Sequence, residues 1–354
     1  MSKQRFRQRG FTLIELMISA TIGLLLVAGM TAMFVSNNGA QAEIDKANRQ
    51  IENGRFSVQM MSDDLRNAAY YGEFDPTVLA LPTTLPDPCS VALVDLRAAL
   101  PVYVQGVDNA AAGAVSCLQD LRPGTDVLVV RHASTCTIDL SNCEVNSAGA
   151  PYFQASLCNN LSELGSGSSA DFYALDSVIG NMTRHQRDCT ETAGSGTLAV
   201  VRYMQIHIYF VANNDNPGDG IPTLKRIEIG NQVAGLALVV VPLVEGVENL
   251  QMEYGLDTNN DGAPDVYTAN PTTYGGCAAA NCAVANWGSV VAAKINLLAR
   301  SNTISGGYTD SKSYVLGANA DGSSNVIPAA NDHYKRHVFQ AAVVLSNPAG
   351  RRAP

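Results

Sequence analysis

Glu15 is a single carboxylate at the start of a long apolar segment that follows Gly10 and Phe11 directly. From Leu16 to Val35 the chain carries no charged residue. About 20 residues at ~1.5 Å rise span ~30 Å, the thickness of a bilayer hydrocarbon core. A lone acid in such a segment costs about 2 to 3 kcal/mol on insertion scales. Something must therefore compensate for the charge of Glu15.

A second set of oxygen side chains lies in a short loop of the C-terminal half. These residues take the first, third, fifth and ninth positions of the loop: Asp257, Asn259, Asp261 and Asp265. With Gly262 at the sixth position, they match the start of an EF-hand-like calcium loop. Position twelve is Thr268, where a full EF-hand has a bidentate Glu, and Pro264 opposes a following helix. Two interpretations stay open, a weak Ca²⁺ site and an Asx-rich hairpin turn without an ion.

All eight cysteines lie beyond the apolar segment: Cys89, Cys117, Cys136, Cys143, Cys158, Cys189, Cys277 and Cys282. An even number in one part of the chain favours disulfides formed in an oxidising compartment, although eight cysteines allow 105 connectivities. We expect local pairing: Cys136 with Cys143, Cys277 with Cys282, Cys89 with Cys117, and Cys158 with Cys189. A metal site is less favoured, because there is no Cys-x-x-Cys pair and no His at ligand spacing.

Motifs of catalysis are missing from the sequence. The five histidines form no His-Glu-x-x-His pair, and there is no Gly-x-Ser-x-Gly elbow or phosphate-binding glycine loop. We therefore predict that the protein is not an enzyme. The formal net charge of −9 argues against general nucleic-acid binding. The basic residues at 335–337 and 351–352 are interpreted as a solvated strand edge and a tail.

A single helix from Phe11 to about Tyr71 is the simplest interpretation of the N-terminal part. Small and apolar residues recur at steps of three and four beyond the apolar segment: Ile44, Ala47, Ile51, Gly54, Val58, Met61, Leu65 and Ala68. We expect the outer half of this stripe to pack on the protein's own head. Asn37–Gly39 and Gly54 are points at which the helix could bend. Gly72 and Asp75-Pro76 are predicted to end it.

The chain beyond Gly72 is predicted to be rich in β-strands. Five runs are predicted strands: Asp126 to His132, Ala199 to Ala212, Leu224 to Ile229, Val290 to Ala299 and Val338 to Leu345. Along the longest run, Met204, Ile206 and Ile208 alternate with Gln205 and His207, which predicts one buried and one wetter face. The fold class is therefore α+β, with one long N-terminal helix followed by a large, mainly antiparallel β head.

The charge pattern predicts the orientation in the membrane. The first nine residues contain Lys3, Arg5, Arg7 and Arg9 and no acid, so they are expected to stay cytoplasmic while the chain beyond Val35 faces outward. A secretory signal ending near Ala40-Gln41-Ala42 is a weaker alternative, because a signal core has roughly 7 to 15 apolar residues. A plain single-pass anchor is the other alternative.

Residues Gly10 to Met17, with the basic leader before them, resemble the cleavage site of type IV prepilins. The resemblance implies that a prepilin peptidase cuts after Gly10 and that the new terminus at Phe11 is methylated. Glu15 would then be the fifth residue of the mature protein. In that family, this glutamate is thought to meet the amino terminus of a neighbouring subunit during assembly.

Further segments resemble the PilW family of minor pilins: Ile51 to Phe56, Asp64 to Gly72, Leu243 to Gly255, Trp287 and Val290 to Arg300. This resemblance implies a pilin-like fold divided into a cleaved leader (1–10), a transmembrane half-helix (11–35), an amphipathic periplasmic half-helix (36–72) and a disulfide-containing head (73–354). It also implies a subunit that helps initiate or cap the type IV pilus, and hence a role in twitching motility and cell adhesion.

The expected partners follow from the resemblance: other minor pilins, the major pilin, the prepilin peptidase and the inner-membrane assembly platform. Before assembly the protein is expected in the inner membrane with its head in the periplasm, and afterwards in the pilus at the cell surface. Two alternative functions stay open. One is a calcium-stabilised adhesin at the pilus tip, and the other is a pseudopilin of type II secretion.

Overall fold

The computed structural model describes residues 10–138, 150–232 and 235–353. Contacts divide the chain into two compact units, Met1–Arg49 and Gln50–Pro354. The α-helices of the described chain are α1 (Leu13–Asn67), α2 (Leu93–Ala99), α3 (Leu161–Leu164), α4 (Ala280–Gly288) and α5 (Ser346–Arg352). Short 3₁₀ turns lie at Pro76–Val78, Ser169–Phe172, Ile179–Asn181 and Tyr274–Gly276.

Helix α1 runs as one element of 55 residues through both predicted bending points. It is long and apolar enough to cross a membrane, with a window of mean hydropathy 2.1 that is 0 % buried. The helix ends at Asn67 rather than near Tyr71, because the backbone leaves helical geometry at Ala69 (φ 60°). The Ala69 N–H donates to the Arg131 carbonyl, and the Ala133 N–H donates to the Tyr70 carbonyl. Residues 69 and 70 thus bond to the head instead of extending the helix.

Within the second unit, α1 buries a stripe that differs in part from the expected one. Ile51 is 40 % exposed. The residues of α1 that are buried are Gln50, Gly54, Ser57, Met61, Ser62, Asp64 and Leu65. Gly54 lies directly against the ring of Phe339, where a Cβ would clash. This glycine therefore serves a close approach rather than a bend, and the buried face is more polar than periodicity predicted.

Thirteen strands are present in the described residues. They are β1 (Val104–Ala110), β2 (Thr125–Ala133), β3 (Tyr152–Ala155), β4 (Tyr173–Asp176), β5 (Val201–Ala212), β6 (Thr223–Gln232), β7 (Gly235–Glu245), β8 (Val247–Leu256), β9 (Val266–Thr268), β10 (Val290–Arg300), β11 (Tyr314–Ala318), β12 (Ser324–Ile327) and β13 (Arg336–Val344). The five predicted strands are confirmed as β2, β5, β6, β10 and β13. The other eight were not predicted.

The larger sheet has seven antiparallel strands and forks at β5. Strand β2 pairs with one edge of β5, from Met204 to Tyr209. On the opposite edge, β3 pairs with residues 201–203 and β6 pairs with residues 207–212. Between these two partners the edge of β5 is open, and a groove of about 470 Å³ lies there.

A second sheet has the antiparallel order β13-β10-β8-β9, and β11 and β12 form a separate hairpin. The main hydrophobic core joins both sheets to the end of α1 through Met61 and Leu65. Trp287, on α4, is 1 % exposed and packs edge-on against Tyr254 with ring centroids 4.6 Å apart. The β head therefore has a large core of its own.

The arginines of the C-terminal region are not solvated as predicted, whereas His337 is exposed on the edge strand β13. The side chain of Arg336 is 3 % exposed and forms ion pairs with Glu248, Asp310 and Asp332. Arg351 donates to the Ala69 carbonyl at 3.0 Å, and Arg352 donates to the Gly288 carbonyl at 2.6 Å. These guanidinium groups are engaged inside the head, where backbone carbonyls and acids satisfy them.

Candidate functional site

The start of α1 forms a capping box. The Thr12 N–H and the Thr12 hydroxyl each donate to Glu15 Oε2 at 2.9 Å. In return, the Glu15 N–H donates to Thr12 Oγ1 at 3.3 Å. Thr-x-x-Glu is the usual sequence of this motif, in which each residue satisfies a backbone N–H of the first helical turn. Glu15 therefore has partners within its own chain before any neighbour arrives.

Gly10 and Phe11 precede this cap, and both are exposed, with Phe11 at 89 %. Cleavage between them would leave Thr12 and Glu15 intact as a cap and place a new ammonium one residue before Thr12. The amino end of a helix also favours negative charge, which helps to hold a carboxylate there. The sequence already contained the Thr-x-x-Glu signal, and its capping role was missed.

The apolar part of α1 presents a surface suited to lipid or to other helices. Leu24, Leu25 and Met30 are between 71 and 73 % exposed. A Cβ added at Gly23 or Gly29 would meet no described atom within 4 Å, and small residues let helices approach closely in a membrane. The hydroxyl of Thr31 donates to the Val27 carbonyl at 2.7 Å. This polar group therefore needs no water.

Between described cysteines there are three disulfides, and each is one of the expected local pairings: Cys89–Cys117, Cys158–Cys189 and Cys277–Cys282. The expected pairing of Cys136 with Cys143 lies outside the described residues, because Cys143 is not among them. The bonds close loops with sequence separations of 28, 31 and 5 residues.

The Asp-rich loop is closed by its own hydrogen bonds. Asp257 Oδ1 accepts the N–H of Asn260 at 2.7 Å, and Oδ2 accepts that of Gly262 at 3.0 Å. Arg352 Nη1 lies 3.4 Å from Asp257 Oδ2. Asp265 Oδ2 accepts the hydroxyl of Thr258 at 2.7 Å, and Asn259 donates to Asp261 and Asp265. Donors thus already occupy the candidate calcium ligands, and calcium binding stays a prediction.

A different group of ligand-type side chains comes together between α1 and the larger sheet. Asp64, His132 and His207 are all buried, and their ligand atoms lie within 4.8 Å of one another. Asp64 Oδ1 is 2.7 Å from His132 Nε2, and Asp64 Oδ2 is 2.9 Å from His207 Nδ1. Among the described residues this is the one such group of His, Cys, Asp or Glu. We call it the Asp–His–His cluster.

Electrostatic interactions within the cluster favour the ionised form of Asp64 and the protonated form of His132. Burial by itself would raise the pKa of Asp64, but the facing imidazoles hold that pKa well below its ordinary value. Burial by itself would lower the pKa of His132, but the hydrogen bond and charge of Asp64 outweigh it and raise that pKa. His132 Nδ1 lies 2.9 Å from the Ala133 carbonyl. Both ring nitrogens of His132 face acceptors, an arrangement that stabilises the imidazolium form.

The sequence could not reveal this cluster. Its members are 68 and 143 residues apart, so no local spacing marks them. His207 lies on the face of β5 that alternation predicted to be wetter, yet it is 8 % exposed and Tyr209 on the same face is 0 % exposed. Asp64 on α1 contacts this face, which explains the burial.

Comparisons with known proteins match two parts of the chain. A family described as "Type IV Pilus-assembly protein W" matches residues 208–347, and the prokaryotic N-terminal methylation motif matches residues 5–31. No curated protein matches the chain. Among solved structures, the type IV-like pilin TTHA1219 from Thermus thermophilus is similar, with a TM-score of 0.35 and 12% identity over 85% of this chain and 98% of that chain.

The two matches agree with the two parts of the molecule. The methylation motif covers Gly10, Phe11 and the capped start of α1, and the assembly-protein match runs from the middle of β5 to the start of α5. An apolar helix followed by an antiparallel β head provides the corresponding architecture. The match to the assembly-protein family over residues 208–347, together with the methylation motif over residues 5–31, supports a type IV minor pilin of the PilW family.

Proposed function

We propose that this minor pilin helps to initiate or cap the type IV pilus, with α1 in the fibre core and the head exposed. The observation that carries the proposal is the contrast between the apolar window of α1, of which 0 % is buried, and a head that has a hydrophobic core. The helix needs an apolar environment that lipid supplies before assembly and other pilin helices supply afterwards.

Processing at the start of α1 is the first step of the proposed function. Residues 1–10 are removed by the prepilin peptidase after Gly10, and Phe11 is methylated. Residues 11–35 then span the inner membrane, and residues 36–72 and the head at 73–354 lie in the periplasm. The three disulfides are consistent with that oxidising compartment.

Glu15 has the role of setting axial register. A carboxylate in a bilayer costs about 2 to 3 kcal/mol, and the donors from Thr12 offset part of that cost. The ammonium of a neighbouring processed subunit supplies the rest when the two helices lie side by side. The partners are the major pilin, other minor pilins and the inner-membrane assembly platform.

Deletion of the gene tests this function. We expect surface pili counted by electron microscopy to be lost or greatly reduced, together with twitching, and to return when the wild-type gene is restored. Normal numbers of pili with failed surface attachment would contradict the assembly role and favour an adhesin. Normal twitching with failed protein secretion would instead indicate a type II secretion pseudopilin.

A further inference from the structure

We propose that the Asp–His–His cluster is a binding site for one divalent transition-metal ion of the zinc class. Its ligands are Asp64 from α1, His132 from β2 and His207 from β5. Two imidazole nitrogens and one carboxylate oxygen are a donor set that suits Zn²⁺ and its neighbours in the first transition row. An ion there would join the end of α1 to two central strands of the head.

The distances require a small expansion of the cluster. Tetrahedral zinc with bonds of about 2.0–2.2 Å separates its ligand atoms by about 3.3 Å. The observed separations are 2.7 Å between Asp64 Oδ1 and His132 Nε2 and 2.9 Å between Asp64 Oδ2 and His207 Nδ1. Small side-chain rotations that move the ligand atoms apart by a few tenths of an ångström would make room for the ion, with no change in the strands.

Outer contacts already orient two of the ligands. His132 Nδ1 donates to the Ala133 carbonyl, which directs Nε2 and its lone pair toward Asp64 once the Nε2 proton leaves. Metal-bound histidines usually have such a partner on the second ring nitrogen. Arg226 Nη1 donates to the hydroxyl of Tyr209 at 3.2 Å, and the ring of Tyr209 packs edge-on against that of His207 with centroids 6.2 Å apart. These contacts restrict the rings of His132 and His207.

The cluster offers a cation one carboxylate, that of Asp64, and the carboxylate of Glu228 lines the groove beside His207. The guanidinium of Arg226 opposes a cation at the cluster, and its ion pair with Glu228 reduces that effect.

The fork at β5 provides the path to the site. His207 lines the groove of about 470 Å³ between β3 and β6, together with Glu228, Tyr203 and Pro151. An ion can approach His207 from this groove, and a water molecule from it can complete a coordination sphere that has three protein ligands. Three-ligand zinc sites with one open position have this arrangement.

Metal content tests the proposal on the processed full-length protein in detergent micelles. After loading with Zn²⁺ and dialysis, we expect one zinc per chain by inductively coupled plasma mass spectrometry. Co²⁺ as a probe should give the visible d–d absorption of a tetrahedral site. Zn²⁺ should raise the melting temperature, and EDTA should reverse the rise.

Loss of a residue that only hydrogen-bonds to a metal ligand weakens metal binding about 10–100-fold. The variants His207→Gln and Asp64→Asn each change a ligand itself and should weaken Zn²⁺ binding by more than that. His185→Gln is the matched control, because His185 is also buried but faces only Glu163, at 2.7 Å. That variant should bind zinc as the wild type does.

Circular dichroism checks that each variant folds. If Asp64→Asn does not fold, the decision rests on His207→Gln and on X-ray absorption spectra of the zinc-loaded wild type, which should show two imidazoles in the coordination sphere. The proposal is overturned if the folded wild type retains no stoichiometric zinc. It is also overturned if His185→Gln loses as much binding as His207→Gln, or if the spectra show no imidazole.

Discussion

The two parts of α1 differ in which residues they bury: the first part exposes apolar side chains, and the second part buries polar ones. In the first unit, Phe11 and Leu24 are 89 % and 71 % exposed. In the second unit, Gln50 and Asp64 on the same helix are buried. Each of these buried polar groups has a partner, such as the Ala299 carbonyl that accepts from Gln50 at 2.7 Å. The comparison teaches that the first part is built for surroundings outside the chain and the second for a particular head.

Loss of processing should have the largest effect on the first part. Gly10→Ala places a side chain at the proposed cleavage position, and we expect it to leave only the uncleaved precursor in the inner membrane. The intact mass of the purified protein measures this. Gly23→Ala is the control, because a Cβ there meets open space, and it should be processed normally. A Gly10→Ala protein with the mature mass would contradict the cleavage site.

Charge and capping at Glu15 can be separated with two substitutions. Glu15→Ala removes both, whereas Glu15→Gln keeps an oxygen that can accept from Thr12 and loses only the charge. If charge sets register, both variants should be processed but strongly depleted from sheared pili in quantitative immunoblots.

Glu43→Gln, a charge change farther along α1, should be incorporated normally. Recovery of Glu15→Gln at wild-type level would show that the cap is what assembly needs, and it would remove the proposed pairing with a neighbouring amine.

The head should be most sensitive at its buried ion pairs. Arg336→Gln leaves Asp310, which is 0 % exposed, without its main cation, and breaking such a pair costs about 3–5 kcal/mol. Chemical denaturation of the full chain in micelles measures the free energy of unfolding. Arg122→Gln is the matched control, since Arg122 also pairs with Glu248 but is 33 % exposed, and it should cost about 1 kcal/mol or less. Equal losses in both variants would contradict this assignment.

The disulfides should differ by the length of the loop that they close. In the chain-entropy description, a separation of 31 residues corresponds to about 3.7 kcal/mol and one of 5 residues to about 2 kcal/mol. The double variant Cys158→Ser/Cys189→Ser should therefore lower stability more than Cys277→Ser/Cys282→Ser. Thermal unfolding under non-reducing conditions compares them. The opposite order would mean that local packing, rather than loop closure, sets their contribution.

Calcium should have the smallest effect. Arg352 lies close to Asp257, and backbone N–H groups already donate to the carboxylate oxygens of Asp257. We therefore expect a dissociation constant for Ca²⁺ on the order of 10⁻⁴–10⁻³ M, as in weak extracellular sites. Calorimetric titration of the full chain should give heat that Asp261→Ala abolishes and Asp219→Ala, in another acidic loop, retains. No heat from the wild type would leave the loop as an Asx turn.

Much of the fold was predictable where side-chain periodicity is strong. The apolar run after Glu15 predicted α1, alternating apolar residues predicted β5, and a run rich in β-forming residues predicted β10. Strand β8 was missed because its partner β10 lies beyond β9 and α4 in the chain. Strand β7 was missed although its partner β6 directly precedes it. The end of α1 was misplaced because contacts with Arg131 and Ala133, far along the chain, overrode helix propensity.

The sequence by itself determined the features that depend on neighbouring residues: the leader motif, the apolar helix with its Thr12–Glu15 cap, and the five most regular strands. Only the tertiary structure decided which polar residues become buried and which residues they contact. Asp64, His132 and His207 meet because α1 covers the β2–β5 face, and Arg336 meets Asp310 within the folded head. Burial of a charged group is stable only beside a partner, and those partners are brought together by chain topology, which local spacing does not encode.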